Sequence, residues 1–305
     1  MNTREVIEIA GRYLAKLPGH VFDVLTVSKP VSPDAALNLA KVISKLSPLL
    51  GNLIEFNTVE LLNDRKEFQA LGKWVRQDPD FPDTVFKGGV EPVPGFEIKA
   101  WFPLATEITA RFKGSQAHFL KDNTYVALLA WLPQKLIFGK PHILGVCVVS
   151  GLAVAQARDE HYHDPPDYLV IEPGDTVKRT RNLQQTTTAG YKWQGSAKDF
   201  DRARRIVESW GKEGRRYKTT PEYQARLREL MAKFEYRSDS NFSKMDRIEQ
   251  ADVEAFKDRM NAVIVNGMTV GEWRRLLAGE NDATIKAALL KHLDVKEVDA
   301  DELLE

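Results

Sequence analysis

The chain has 305 residues in which 43 Lys and Arg balance 43 Asp and Glu, so its formal charge is zero and its isoelectric point lies near 7.0. With 43% apolar and 28% charged residues it is too hydrophobic for a disordered chain, and it has neither the repeats nor the bias of collagen, coiled coils or low-complexity proteins. No run approaches the roughly 18–20 apolar residues of a membrane span, and the start lacks the apolar core of a signal peptide. The single cysteine, Cys147 in ILGVCVVS, excludes an intrachain disulfide and a cysteine zinc site, so a buried thiol in a reducing cytoplasm is expected.

In chain order, apolar residues at Val6, Ile7, Ala10, Tyr13 and Leu14 predict a helix over 3–16 with Thr3 as N-cap. Ser32-Pro33-Asp34 opens a second helix, and Ser47-Pro48 a third through LLGNLIEFNTVELLND. Between Asp78 and Gly95 the segments DPDFPD, KGG and EPVPG carry turn chemistry. PGFEIKAWFPL and TEITARFKG then alternate as neighbouring antiparallel strands. NTYVALLAWLP and HILGVCVVSGLAV are continuous apolar runs, as in strands covered on both faces, and PPDYLVIEP is a further short strand. From Ser196 onward four segments, beginning AKDFDR, TPEYQA, QADVEA and TVGEWR, have helical spacing. The acidic last dozen residues are expected to fray. This order predicts an α/β core, with a central sheet of about five strands flanked by helices, over residues 1–195, and a helical part over 196–305.

The densest chemistry is Pro82-Asp83 followed by Glu97-Ile98-Lys99. In a strand Glu97 and Lys99 project from one face while Ile98 points to the other. Gly88-Gly89 and Pro94-Gly95 can fold the Asp83 segment back beside them as a hairpin. Two carboxylates brought together call for a cation, and a hard divalent ion such as Mg2+ suits oxygen ligands. With Lys99 to orient or deprotonate water, such a set is suited to phosphodiester hydrolysis.

These residues resemble the motif of the PD-(D/E)xK nuclease superfamily, which includes most type II restriction endonucleases. Gly51-Asn52-Leu53-Ile54-Glu55, on the upstream helix, is similar to a segment of the branch that contains the mismatch-repair strand-nicking endonuclease. The resemblance covers about Pro48 to Ser150. It implies a restriction-endonuclease-like core, a Mg2+ site made by Asp83 and Glu97 with Glu55 as an auxiliary acid, and sequence-specific cleavage of double-stranded DNA by a homodimer in a prokaryotic cytoplasm. A functionally paired DNA methyltransferase is also implied. Glu91, six residues before Glu97, is the alternative first acid. Gln116 is a candidate contact to the metal's water or to backbone phosphate. A nicking or repair enzyme of the same fold, or a non-catalytic DNA-binding protein, are the alternatives.

Neutrality is only an average. From Thr176 to Lys218 twelve Lys and Arg face four Asp and Glu, a local charge of +8. Within it Lys178, Arg179, Arg181, Asn182, Gln184, Gln185, Lys192 and Gln194 are side chains able to read base edges or hold phosphates. Arg202 and Arg205, on the helix that follows, are candidate phosphate contacts. His161-Tyr162-His163-Asp164 could hold a transition metal, but without a third His or Cys at a standard spacing it reads more simply as a polar loop.

Overall fold

A computed structural model of the chain describes residues 1–77, 81–105, 108, 110–112, 116–161, 170–171, 191–193, 197–214, 216, 218, 220–234, 237–238 and 244–295. Asn2, rather than Thr3, caps helix α1 (Thr3–Leu14). Its side chain accepts from the Glu5 N–H while the Glu5 carboxylate accepts from the Asn2 N–H, which satisfies two N–H groups of the first turn reciprocally. Ser32 caps α2 (Pro33–Val42) as expected, accepting from the Ala35 N–H. Helix α3 (Ser47–Asn63) follows, with Leu50, Gly51, Ile54, Thr58, Val59 and Leu62 buried, and then the short α4 (Lys66–Gln69).

Five strands follow: β1 (Lys73–Arg76), β2 (Thr84–Lys87), β3 (Gly95–Trp101), β4 (Thr124–Lys135) and β5 (Phe138–Ser150). They form one mixed sheet in the order β1-β2-β3-β4-β5. β1 and β2 are antiparallel, as are β2 and β3, with Thr84 opposite Phe96 and Val85 opposite Gly95. Trp74, Phe86 and Phe96 share a face and cluster with Phe68, ring centroids 5.4–5.8 Å apart. This aromatic layer holds the three short strands in register from one side, because large rings interdigitate and resist sliding.

Beyond β5 lie α5 (Gly151–His161), β6 (Val170–Ile171), β7 (Tyr191–Trp193), α6 (Ala197–Glu208), α7 (Pro221–Lys233) and β8 (Arg237–Ser238). The chain continues through α8 (Ala251–Ala262), β9 (Ile264–Val265), β10 (Met268–Thr269), α9 (Val270–Leu277) and α10 (Asp282–Leu293). The contacts divide it into two units. The first gathers Met1–Ile108, Val126–Val148 and Asp252–Glu305; the second gathers Thr109–Tyr125 and Val149–Ala251. Within the first, α8 packs on β5 at Gly145, where an added Cβ would lie 2.5 Å from the Met260 sulfur. Phe256 of α8 also meets the Trp101 ring at 5.9 Å. Helix α10 packs on α2, with ion pairs Lys41–Asp282 (2.6 Å) and Lys286–Asp34 (2.7 Å). The second unit includes a small sheet in the order β6-β7-β8 and a core of Ala203, Val207, Tyr223, Leu227, Leu230 and Met231 between α6 and α7.

Three expectations are corrected. TEITARFKG forms no ladder beside β3 among its described residues; Arg111 makes an isolated bridge to Lys244, and the neighbours of β3 are β2 and β4. Ile108 and Phe112 are buried, so the alternation reports inward side chains. The apolar run ending in GLAV is a strand only as far as Ser150, because Gly151 starts α5. Finally, β4 is buried on both faces, whereas β5 alternates buried and half-buried residues.

Candidate active site

The register that pairs Thr84 with Phe96 brings Asp83, the residue before β2, level with Glu97. Phe96 and Ile98 are fully buried, so Glu97 and Lys99 take the opposite side, with Asp83. Backbone groups then fix both carboxylates. The Ile98 N–H donates to Asp83 Oδ2 at 2.7 Å, and the Asp83 N–H donates to Glu97 Oε2 at 3.2 Å. Lys99 Nζ lies 2.6 Å from Glu97 Oε1 and 3.2 Å from Asp83 Oδ2, bridging the two acids. The Glu97, Lys99 and Asp83 side chains are only 9%, 16% and 23% exposed, so water screens these charges weakly.

Helix α3 brings the fourth member. Gly51 and Glu55, one turn apart, both meet Ala100, the residue after Lys99. A Cβ on Gly51 would lie 3.4 Å from the Ala100 Cβ, and Glu55 Oε1 accepts from the Ala100 N–H at 3.4 Å. A methyl at Gly51 would thus just touch Ala100, so α3 packs closely on β3 here, and the glutamate one turn on reaches the strand.

The electrostatics follow from this crowding. Burial holds the Glu97 carboxyl up at about 7, with the Lys99 charge pulling it down and the Asp83 charge adding to the rise. Glu55 is also held at about 7, chiefly by burial, against the Lys99 charge and with Asp83 reinforcing. For Lys99, burial alone would lower the pKa; the carboxylates of Glu97 and Asp83 outweigh it and raise the ammonium above its ordinary value. A buried acid held near neutrality is a common property of functional sites, though structural ion clusters share it.

The donor set suits a hard cation. Among the described residues no group of three or more His, Cys, Asp or Glu gathers closely enough to hold a metal ion. The Asp83–Glu97 pair nonetheless fits Mg2+, which takes one or two protein carboxylates and completes its shell with water and phosphate.

Each of the other predicted residues has its own place in the chain. Glu91 is exposed in the loop between β2 and β3, on the lining of a cavity of about 640 Å3 with Gln77, Val85, Lys87 and Val93; Asp83 rather than Glu91 meets Glu97 and Lys99. Gln116 is buried at the start of a short 3-10 helix of the second unit. Lys178, Arg179, Arg181, Asn182, Gln184, Gln185 and Gln194 lie outside the described residues, as do His163 and Asp164. Lys192 falls in β7 and His161 at the end of α5. Arg202 and Arg205 are exposed on α6, Arg202 paired with Asp199 at 3.0 Å. Cys147 is buried, and burial pushes its thiol up to about 11, which makes it unreactive.

One positioning residue escapes sequence reasoning. Gln77 donates from its side chain to the Pro82 carbonyl and from its backbone to the Asp83 carbonyl, each at 3.0 Å, clamping the Pro82-Asp83 turn. Nothing in its local pattern distinguishes it from an ordinary polar residue at a strand end.

Comparison with protein-family models, curated proteins and solved structures finds no match to this chain. Among the described residues no helix is long and apolar enough to cross a membrane.

Proposed function

We propose that the protein is a Mg2+-dependent deoxyribonuclease of the restriction type that hydrolyses phosphodiester bonds in double-stranded DNA at a short specific sequence. The observation that carries this reading is the bridging of Asp83 and Glu97 by Lys99, in a cluster that Glu55 joins from α3. Asp83 and Glu97 would hold the cation, with Glu55 beside them. When bound, Mg2+ supplies Lewis-acid stabilisation of charge on the phosphoryl group and makes water a better nucleophile. Lys99 orients the attacking water and offsets negative charge developing on phosphate. Backbone donors at Ile98 and Asp83 keep the carboxylates fixed, so little reorganisation is required as charge develops.

The basic stretch from Thr176 to Lys218 is the proposed DNA-recognition surface, with Arg202 and Arg205 on phosphates. A homodimer matches a palindromic site with one active centre per strand. A companion methyltransferase and a prokaryotic cytoplasm belong to the same proposal. A second reading, a nicking enzyme of this fold, is favoured by the joint use of Ala100 by Gly51 and Glu55, the residues of the segment similar to that branch.

The test uses supercoiled plasmid with Mg2+, with EDTA, and with Asp83→Asn. Linear product from the wild type alone, and only with Mg2+, is expected. Open circles as the final product would favour nicking, and intact supercoils throughout would remove both readings.

A further inference from the structure

The cluster contains its own cation. Lys99 Nζ sits 2.6 Å from Glu97 Oε1 and 3.2 Å from Asp83 Oδ2, in contact with both carboxylates assigned to the metal. The two acids do not depend on Lys99 for their placement, because the Ile98 N–H holds Asp83 and the Asp83 N–H holds Glu97. Lys99 is the member able to move, since its ammonium ends a flexible four-carbon stem. An ammonium and a divalent ion a few ångströms apart repel strongly where water is scarce.

We propose that Lys99 and a divalent cation compete for Asp83 and Glu97, so that metal entry requires the Lys99 ammonium to withdraw from at least one of them. Lys99 is thus the counter-ion that stabilises the acid pair until the metal arrives, and becomes free to face substrate only once displaced. The inference rests on reading the cluster as a Mg2+ site. It predicts that the protein binds divalent ions more weakly than its carboxylates would alone. A neighbouring opposite charge alters a carboxylate's proton affinity by roughly ten- to a thousandfold, and affinity for a metal ion responds in the same sense.

The experiment is calorimetric titration with Mn2+ at pH 8.5 on wild type, Lys99→Met and Lys99→Arg, each checked for folding by circular dichroism. Lys99→Met should bind Mn2+ at least about tenfold more tightly than wild type, and Lys99→Arg no more tightly. Equal or weaker binding by folded Lys99→Met overturns the competition and leaves the metal site standing. Binding by neither protein at millimolar Mn2+ overturns the metal site as well. Should Lys99→Met fail to fold, the wild type labelled with 13Cε-lysine provides the test by nuclear magnetic resonance. Saturable movement of the Lys99 signal with Mg2+ supports displacement, and an unmoved signal with Mg2+ bound overturns it.

Discussion

Replacing Glu55 by Gln should stabilise the protein while impairing it, and the effect should depend on pH in one direction. Burial holds the Glu55 carboxyl at about 7 against an ordinary value of 4.5. Below pH 4.5 the acid is neutral in folded and unfolded chains alike, and the favourable contribution of the buried neutral form is fully present. Between about 4.5 and 7 the unfolded chain ionises first, so stability declines by up to about 1.4 kcal/mol for each pH unit. Above pH 7 the loss levels off on the order of 3 kcal/mol. The Gln amide oxygen can still accept from the Ala100 N–H and does not ionise, so Glu55→Gln avoids the loss. Urea denaturation in EDTA at pH 4.5, 6, 7 and 8.5 reads this directly, provided the m value is unchanged. The variant should match wild type at the lowest pH and exceed it by a few kcal/mol at the highest. A difference independent of pH, or a less stable variant at pH 8.5, would refute the electrostatic account of Glu55.

Further outcomes follow from the same geometry. Glu97→Ala and Lys99→Ala should abolish cleavage in a Mg2+ gel assay while DNA binding by mobility shift persists; wild-type cleavage by either would remove its assignment. Gly51→Leu should force α3 away from Ala100 and lower cleavage at least tenfold, with little change in DNA affinity, whereas Gly51→Ala needs only a slight adjustment. Activity of Gly51→Leu equal to wild type would mean that the helix approach is not needed. Arg205→Ala should weaken DNA binding similarly for all sequences and reduce the slope of log affinity against log salt by about 1; an unchanged slope would place DNA elsewhere.

The strand faces of the candidate cluster were more legible in the sequence than the packing around them. Period-two alternation is a property of strands, so Glu97-Ile98-Lys99 could be assigned its faces without a structure, and Ile98 is indeed fully buried. The depth of Glu97 could not be read, because burial depends on packing between elements distant in sequence, such as α3 on β3. Strand β1, only four residues long, is too short to declare a period, and Gln77 beside it was invisible for the same reason. TEITARFKG shows the converse. Ile108 and Phe112 are both buried, yet among the described residues of this segment the backbone makes only the isolated bridge at Arg111. In HILGVCVVSGLAV, apolarity alone could not mark where β5 gives way to α5. The inclusion of Asp252–Glu305 in the first unit rests on contacts such as Gly145 with Met260, more than a hundred residues apart in sequence, which no local pattern encodes.

The most direct measurement is incubation of unmethylated phage DNA with the wild type and with Lys99→Ala, in Mg2+ and in EDTA, followed by electrophoresis. Discrete fragments from the wild type in Mg2+ alone are the predicted result. A smear would retain the nuclease and remove its sequence specificity. DNA left intact by the wild type in Mg2+, or cut equally by Lys99→Ala, would contradict the assignment of chemistry to the Asp83–Glu97–Lys99 cluster.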